Sequence, residues 1–119
     1  MILIVDDDVM MRQVLEIFLE SHGFSVLTAG DGNEALKIYS RHGSEIQVIL
    51  CDIEIPNLSG VEAYRQLKTI NPEVKVIFGS GFLDPQTRAH LTHEGARHFL
   101  HKPYKPEDIL LAIRSALES

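Results

Sequence analysis

The chain lacks most of the features that mark secreted, membrane-spanning or nucleic-acid-binding proteins. It contains one cysteine, which excludes a framework of disulfide bonds and fits a reducing compartment. No apolar run reaches the roughly 18 residues that a membrane-spanning helix needs, and the apolar opening Met1–Val5 is too short for a signal peptide. The 11 Lys and Arg residues form no basic run, and the net charge of −6 argues against binding to nucleic-acid phosphates. We therefore expect a cytoplasmic protein that neither inserts into membranes nor binds nucleic acid directly.

Length and composition predict one globular domain. The 119 residues are 45% apolar and 24% charged, which is close to the average for soluble domains. A chain of this length buries about two-thirds of the surface that it exposes when unfolded, so it can form a core without disulfides or structural metals. No linker or low-complexity segment interrupts the sequence. We expect a single domain over residues 1–119.

Short β-branched runs alternate with stretches of helical periodicity. The predicted strands are residues 2–5, 25–29, 48–51, 74–78 and 97–100, and the predicted helices are residues 9–21, 32–42, 60–70, 85–94 and 106–118. Five strands that alternate with five helices indicate an α/β fold with a parallel sheet covered on both faces. Right-handed crossover connections leave few possible strand orders, and among these we choose the doubly wound order 2-1-3-4-5 that is known for flavodoxin-like folds.

The predicted helix starts carry capping signals. Asp31 with Glu34, and Ser59 with Glu62, have the spacing of a capping box. Asp84 precedes a proline, which is typical of an N-cap followed by the first helical turn.

Polar side chains follow four of the predicted strands. They are Asp6, Asp7 and Asp8 after the first strand, Asp52 after the third, Ser80 after the fourth and Lys102 after the fifth. In the expected strand order these four strands are neighbours, so their carboxyl ends meet in one crevice. Asp8 suits the N-cap of the following helix, and we do not count it among the candidate ligands.

Clustered carboxylates in such a crevice need a counter-charge. Two unit charges about 4 Å apart repel by about 4 kcal/mol at an effective dielectric of 20. Either one acid is protonated or a cation neutralises the group. Because all the ligand atoms are oxygens, the cluster favours Mg²⁺ or Mn²⁺ over zinc.

A buried aspartate beside a cation, an ammonium and a hydroxyl is suited to accept a phosphoryl group. A carboxylate can act as the covalent nucleophile, and phosphoryl transfer depends mostly on positioning and charge neutralisation. We predict that Asp52 is the phosphoacceptor and that Asp6 and Asp7 hold the metal. Lys102 and Ser80 would contact phosphoryl oxygens, and the Ser80 loop would move inward upon phosphorylation.

Four stretches of the sequence together resemble the receiver domain of two-component response regulators. They are residues 2–8 (ILIVDDD), 52–60 (DIEIPNLSG), 76–81 (VIFGSG) and 101–104 (HKPY). The resemblance covers essentially the whole chain. It implies a signalling domain that receives its phosphoryl group from a histidine kinase or a histidine phosphotransfer domain. A downstream output domain or protein would then recognise the changed surface.

The resemblance also implies roles for particular residues. Asp52 would be the phosphoacceptor, and the backbone carbonyl of Glu54 would complete the coordination of Mg²⁺. Ser80 and Phe99 would form the switch, and a cis peptide bond would precede Pro103.

The chain departs from the usual family pattern at two positions. Gly81 stands where alanine is common, and we expect this smaller residue to leave the acyl phosphate more open to water. Glu54 stands where methionine is common. The run Ser80-Gly81-Phe82 is more similar to receivers fused to hybrid sensor kinases than to free-standing regulators.

Two other functions remain open from the sequence. One is a metal-dependent aspartyl-phosphatase, because Glu54 follows Asp52 by two residues, where a general acid/base is needed. Such phosphatases usually carry the nucleophile after the first strand and have a cap domain. The other is a pseudo-receiver that uses its surface only to bind proteins, and the full set of acids, hydroxyl and lysine argues against it.

Overall fold

Strands and helices alternate strictly along the chain in a computed structural model that describes residues 1–118. Ser119 belongs to the expected domain 1–119 but lies outside the described residues. The strands are β1 (Ile2–Val5), β2 (Val26–Ala29), β3 (Val48–Asp52), β4 (Val76–Ser80) and β5 (His98–His101). The helices are α1 (Val9–Ser21), α2 (Gly32–His42), α3 (Gly60–Ile70), α4 (Pro85–His93) and α5 (Pro106–Glu118). Within residues 1–118, none of the helices combines the length and the apolar character required to cross a bilayer.

The strands form one parallel sheet in the order β2-β1-β3-β4-β5, which confirms the predicted fold class. The chain winds outward in both directions from β1 and β3, so the strand order reverses between these two strands. Val5 pairs with Cys51, and Asp52 pairs with Gly79, so the carboxyl ends of β1, β3 and β4 lie nearly level. Ligands of such sheets bind outside these strand ends, at the reversal point.

Each face of the sheet packs against its own group of helices. Leu3 and Ile49 belong to a buried cluster that includes side chains of α2, α3 and α4. Ile4 and Leu50 belong to a second cluster, which includes side chains of α1 and α5. Because successive residues of a strand point to opposite faces, the nearly continuous apolar sequences of β1 and β3 fill both layers.

Several strand boundaries lie one or two residues from the predicted ones, and β4, predicted over residues 74–78, differs at both ends. The amide of Val74 donates to the carbonyl of Asn71 at 3.0 Å, so this residue still belongs to a turn and β4 begins only at Val76. At the other end, Asp52 and Ser80 are the last residues of β3 and β4 rather than the first residues of loops. The two polar side chains are therefore held by the sheet itself.

The predicted helix caps are present at some helices and absent at α4. Asp8 caps α1, because its Oδ1 accepts from the amides of Met10 and Met11 at 3.0 and 3.3 Å. Asp84 precedes Pro85 as predicted, yet within the described residues its side chain makes no capping hydrogen bond to the helix backbone. The fixed backbone of Pro85 suits the first turn of α4 without such a cap.

We predict that Ile113→Ala destabilises the fold by about 2–5 kcal/mol, because the side chain is fully buried in the layer between α5 and the sheet. Leu111→Ala on the same helix is the control, since Leu111 is 60% exposed, and we expect a change below about 0.5 kcal/mol. Urea unfolding measures both free energies. Equal losses from the two variants would contradict the described packing of α5.

Candidate functional site

Three carboxylates lie together at the carboxyl ends of β1 and β3. Asp6 directly follows β1, Asp52 ends β3, and these two strands are neighbours in the sheet. Asp6 and Asp52 are only 2% and 7% exposed, whereas Asp7 is exposed to solvent. One carboxylate oxygen from each residue lies within 4.8 Å of the other two. The arrangement therefore concentrates negative charge that is partly removed from water.

Backbone amides hold the two buried carboxylates in place. Asp6 Oδ1 accepts from the amide of Asp8 at 2.9 Å, and Asp52 Oδ1 accepts from the amide of Glu54 at 3.0 Å. The Arg12 guanidinium donates to the backbone carbonyl of Asp6 at 2.8 Å and so ties α1 to the end of β1. Hydrogen bonds from amides to a carboxylate are charge-assisted, so they fix its orientation as well as stabilise it.

Lys102 bridges the two buried acids. Its Nζ lies 2.8 Å from Asp52 Oδ2 and 3.1 Å from Asp6 Oδ2. Burial of the ammonium lowers the pKa of Lys102, but the hydrogen bonds that it donates to Asp52 and Asp6 outweigh this effect and raise the pKa above its ordinary value. The lysine is therefore charged at neutral pH. Its amide donates to the carbonyl of Ser80 at 2.9 Å, and the following peptide bond, to Pro103, is cis.

Ser80 lies at the same edge of the sheet, but its hydroxyl closes a local turn. It donates to the carbonyl of Phe82 at 2.7 Å and accepts from the amide of Phe82 at 3.2 Å. The Ser80 side chain is buried, whereas the Phe82 ring is 74% exposed. In this arrangement the hydroxyl is engaged with Phe82 rather than with the carboxylates.

The other two residues singled out by the resemblance lie in different surroundings. Glu54 is exposed on the loop after β3, and its amide reaches back to Asp52. Phe99 lies on β5, within the layer that packs against α2, α3 and α4, and its ring stacks on Phe78 with centroids 6.0 Å apart. The Arg88 guanidinium of α4 lies 4.7 Å from the centroid of the Phe99 ring. Phe99 is thus placed between β4 and α4, away from the acidic cluster.

The Cys51 thiol, which lies next to the site in the sequence, is buried and unreactive. Cys51 precedes Asp52 and is buried on the opposite face of the sheet. Burial, with a further contribution from the charge of Asp52, raises the pKa of the Cys51 thiol to about 12. Since only the thiolate is a good nucleophile or metal ligand, Cys51 serves as a core residue.

Tyr104, to which the sequence patterns assigned no role, packs onto Gly79. A Cβ atom added to Gly79 would lie 2.5 Å from Tyr104 Cζ, which is well inside van der Waals contact. A glycine inside a β-branched strand was the available signal, because such a residue often marks a close approach by another group.

The donor set of the cluster fits a hard divalent cation. All the side-chain ligands that Asp6, Asp7 and Asp52 offer are oxygens, and their separation is compatible with the short bonds that Mg²⁺ forms. Three carboxylates and one ammonium leave a formal charge of −2, which one dication neutralises. The acidic cluster is therefore compatible with Mg²⁺ binding.

Comparisons with known proteins agree with this geometry. The family model described as the response regulator receiver domain matches residues 2–114. The chain is 30% identical to chemotaxis protein CheY of Bacillus subtilis over 98% of this chain and 96% of that protein. It is also 37% identical to the sensor kinase/phosphatase CqsS of Vibrio cholerae, over 92% of this chain, and 29% identical to the sensor kinase CckA of Brucella abortus, over 98% of it. The chain spans only 16% of CqsS and 12% of CckA.

Solved structures show the same similarity. A response regulator receiver domain protein from Clostridium thermocellum superposes with a TM-score of 0.93 at 34% identity, over 98% of this chain and 93% of that one. CheY in a CheX-CheY-BeF3-Mg complex from Borrelia burgdorferi gives a TM-score of 0.90 at 30% identity, over 96% of this chain and 86% of the other. Fold, site geometry and sequence similarity agree, and the chain belongs to the response regulator receiver domain family.

Proposed function

We propose that this receiver takes a phosphoryl group onto Asp52 in a reaction that depends on Mg²⁺ or Mn²⁺. The observation that carries the proposal is the bridge from Lys102 to both Asp52 and Asp6. It places a positive charge against the buried Asp52 carboxylate, where phosphoryl oxygens would arrive. Asp7, on the solvent side, leaves the cluster accessible to a metal and to a donor.

Asp6, Asp7 and Asp52 would hold the metal, together with the backbone carbonyl of Glu54 that the family resemblance implies. The bound ion would supply positive charge for the phosphoryl oxygens. Asp6 and Asp52 need no rearrangement of the backbone to do so, because their Oδ1 atoms are already fixed by the amides of Asp8 and Glu54.

The donor we propose is a phosphohistidine of a histidine kinase or a histidine phosphotransfer domain. A carboxylate oxygen of Asp52 attacks the phosphorus, the new O–P bond forms, and the N–P bond of the donor breaks. The donor imidazole keeps the electron pair of that bond and regains its proton from solvent. Lys102 and the Ser80 hydroxyl then each donate to a phosphoryl oxygen. The sensor kinases among the relatives support this class of donor.

Ser80 and Phe99 would convert phosphorylation into a change of surface. To reach a phosphoryl oxygen, the Ser80 hydroxyl must give up its bond to the carbonyl of Phe82. The loop between β4 and α4 would then move toward Asp52, and Phe99 would repack against α4. The face formed by α4, β5 and α5 would present this change to an output domain or protein in the cytoplasm, as a shift between two populated states.

We predict that Asp52→Asn abolishes labelling of the protein by phosphoramidate in the presence of Mg²⁺, because the amide is not a nucleophile. Asp84→Asn removes an exposed acid near the same edge and is expected to label like the wild type. Intact mass spectrometry counts the phosphoryl groups, and their loss at alkaline pH identifies an acyl phosphate. Unchanged stoichiometry in Asp52→Asn would eliminate this residue as the acceptor.

The number of phosphoryl groups processed per protein molecule distinguishes a receiver from the alternative phosphatase. A receiver should hold one equivalent of labile phosphate, whereas a phosphatase should release many equivalents from an external phosphomonoester, with Glu54 as the acid. The pseudo-receiver alternative is separated by metal binding, since it requires no Mg²⁺ at the cluster.

We predict that Lys102→Met tightens Mg²⁺ binding by about tenfold, because the ammonium occupies the Oδ2 atoms of Asp6 and Asp52 and repels a second cation. Lys105→Met removes the same charge from an exposed position and is the control. Calorimetric titration with MgCl₂ measures both affinities. Equal affinities in the two variants, or weaker binding in Lys102→Met, would contradict a metal site at these carboxylates.

An exposed apolar stripe on α1 supports a macromolecular donor. Met10, Val14 and Ile17 lie on one helix face and are 74%, 60% and 70% exposed. Because α1 begins two residues after Asp7, the stripe extends directly from the rim of the acidic cluster. A donor that brings a histidine to Asp52 must rest on the surface beside it, and we propose that a donor helix packs on this α1 stripe.

We predict that Val14→Glu slows phosphoryl transfer from a phosphorylated histidine phosphotransfer domain by about tenfold, because it places a charge within the apolar contact. Labelling by phosphoramidate, which needs no docking, should remain unchanged. Ile70→Glu, at the far end of α3, is the control because it is also exposed and apolar. Rates are followed by loss of label from the donor. An equal slowing by Ile70→Glu, or a loss of phosphoramidate labelling in Val14→Glu, would contradict the α1 stripe as the docking surface.

A further inference from the structure

Three paired residues of neighbouring strands lie side by side at the acidic cluster, and the middle one, Gly79, has no side chain. Asp52 pairs with Gly79 on β4, and Gly79 pairs with Leu100 on β5. Paired residues of neighbouring strands lie about 4.8 Å apart and point to the same face. Gly79 has no side chain, so a gap opens directly beside the Asp52 carboxylate on the face that packs against α1 and α5.

Tyr104 fills this gap from the loop between β5 and α5. A Cβ atom on Gly79 would overlap the Tyr104 hydroxyl and would lie 2.5 and 2.8 Å from Cζ and Cε1 of its ring. The ring also packs against the buried cluster of α1 and α5. The phenol hydroxyl thus occupies the place of a β4 side chain, next to the residue that we propose as the phosphoacceptor.

The same ring lies under the bridging lysine. Lys102 Nζ is 5.7 Å from the centroid of the Tyr104 ring, within the range of a cation–π contact. Burial, with contributions from the charges of Asp52 and Asp6, raises the pKa of the Tyr104 phenol above its ordinary value. The phenol is therefore neutral and adds no negative charge to the site. The Tyr104 ring therefore lies beside the Lys102 ammonium, and its hydroxyl fills the gap at Gly79 next to Asp52.

We propose that Tyr104, seated in the gap at Gly79, is a positioning residue that holds the Lys102 ammonium against Asp52 for phosphoryl transfer. This inference rests on the proposed function. It predicts that the residues at positions 79 and 104 depend on each other in size. A larger residue at 79 would be tolerated only if the residue at 104 were smaller.

A double-mutant cycle tests this requirement. Gly79→Ala should slow labelling by phosphoramidate and Mg²⁺ by about tenfold, because the new methyl group displaces the ring and the lysine with it. Tyr104→Ala should slow labelling similarly, and Gly79→Ala added to that variant should cost less than about twofold more. Tyr104→Phe keeps the ring beneath Lys102, so its loss should be smaller than that of Tyr104→Ala.

Mg²⁺ affinity separates a positioning role from general damage to the site. The carboxylates keep their backbone donors in every variant, so Mg²⁺ should bind as tightly as in the wild type or more tightly, while the labelling rate falls. Equal slowing by Gly79→Ala in both backgrounds would overturn the proposal, as would parallel losses of rate and Mg²⁺ affinity. If the wild type takes up no phosphoryl group, the proposed function fails. If the wild type is labelled and Gly79→Ala is unaffected, only the role of Tyr104 fails.

Discussion

The contact of one ammonium with two buried carboxylates is the interaction on which this site depends. Asp6 and Asp52 end neighbouring strands and would repel each other strongly without a counter-charge, since water is largely excluded from both. Lys102 directly follows β5, two strands away from β3, and the bond from its amide to the carbonyl of Ser80 holds it beside the end of β4. One side chain therefore ties the ends of β1, β3 and β5 together.

The same contact gives the resting site a defined starting state. The Oδ2 atoms that hold Lys102 are those left free by the backbone amides, which occupy Oδ1 of each acid. In the proposed reaction, a metal or a phosphoryl group would therefore meet carboxylates that are already oriented. The partner of each Oδ2 atom would change, while the amides of Asp8 and Glu54 would keep their hydrogen bonds to the Oδ1 atoms. This is the arrangement that phosphoryl transfer requires, because positioning and charge neutralisation supply most of its catalysis.

Sequence patterns predicted the ten elements, because strands buried on both faces and amphipathic helices leave distinct periodicities. The strand order was chosen from the few that right-handed crossovers allow, and the structure confirms it. Sequence patterns also predicted that Asp6, Asp7, Asp52 and Lys102 would meet, since parallel strands end at one edge of a sheet. The start of β4 was placed too early, because an apolar Val74 looks like a strand residue even when its amide closes a turn. The bond between Ser80 and Phe82 and the fit of Tyr104 onto Gly79 depend on side-chain packing, which no periodicity records.

The bond that Ser80 makes with Phe82 limits what this hydroxyl can contribute to a switch. A neutral hydrogen bond adds about 1 kcal/mol to stability and a charge-assisted one about 1.5–3 kcal/mol, so exchanging the carbonyl of Phe82 for a phosphoryl oxygen gains roughly 1 kcal/mol. Moving an equilibrium from 1:99 to 99:1 takes about 5.5 kcal/mol. Ser80 alone is therefore insufficient, and the larger share must come from groups that meet the phosphoryl charge directly. In the proposed mechanism, Lys102 and the divalent cation held by the carboxylates are the positive charges beside Asp52 that would meet the phosphoryl group.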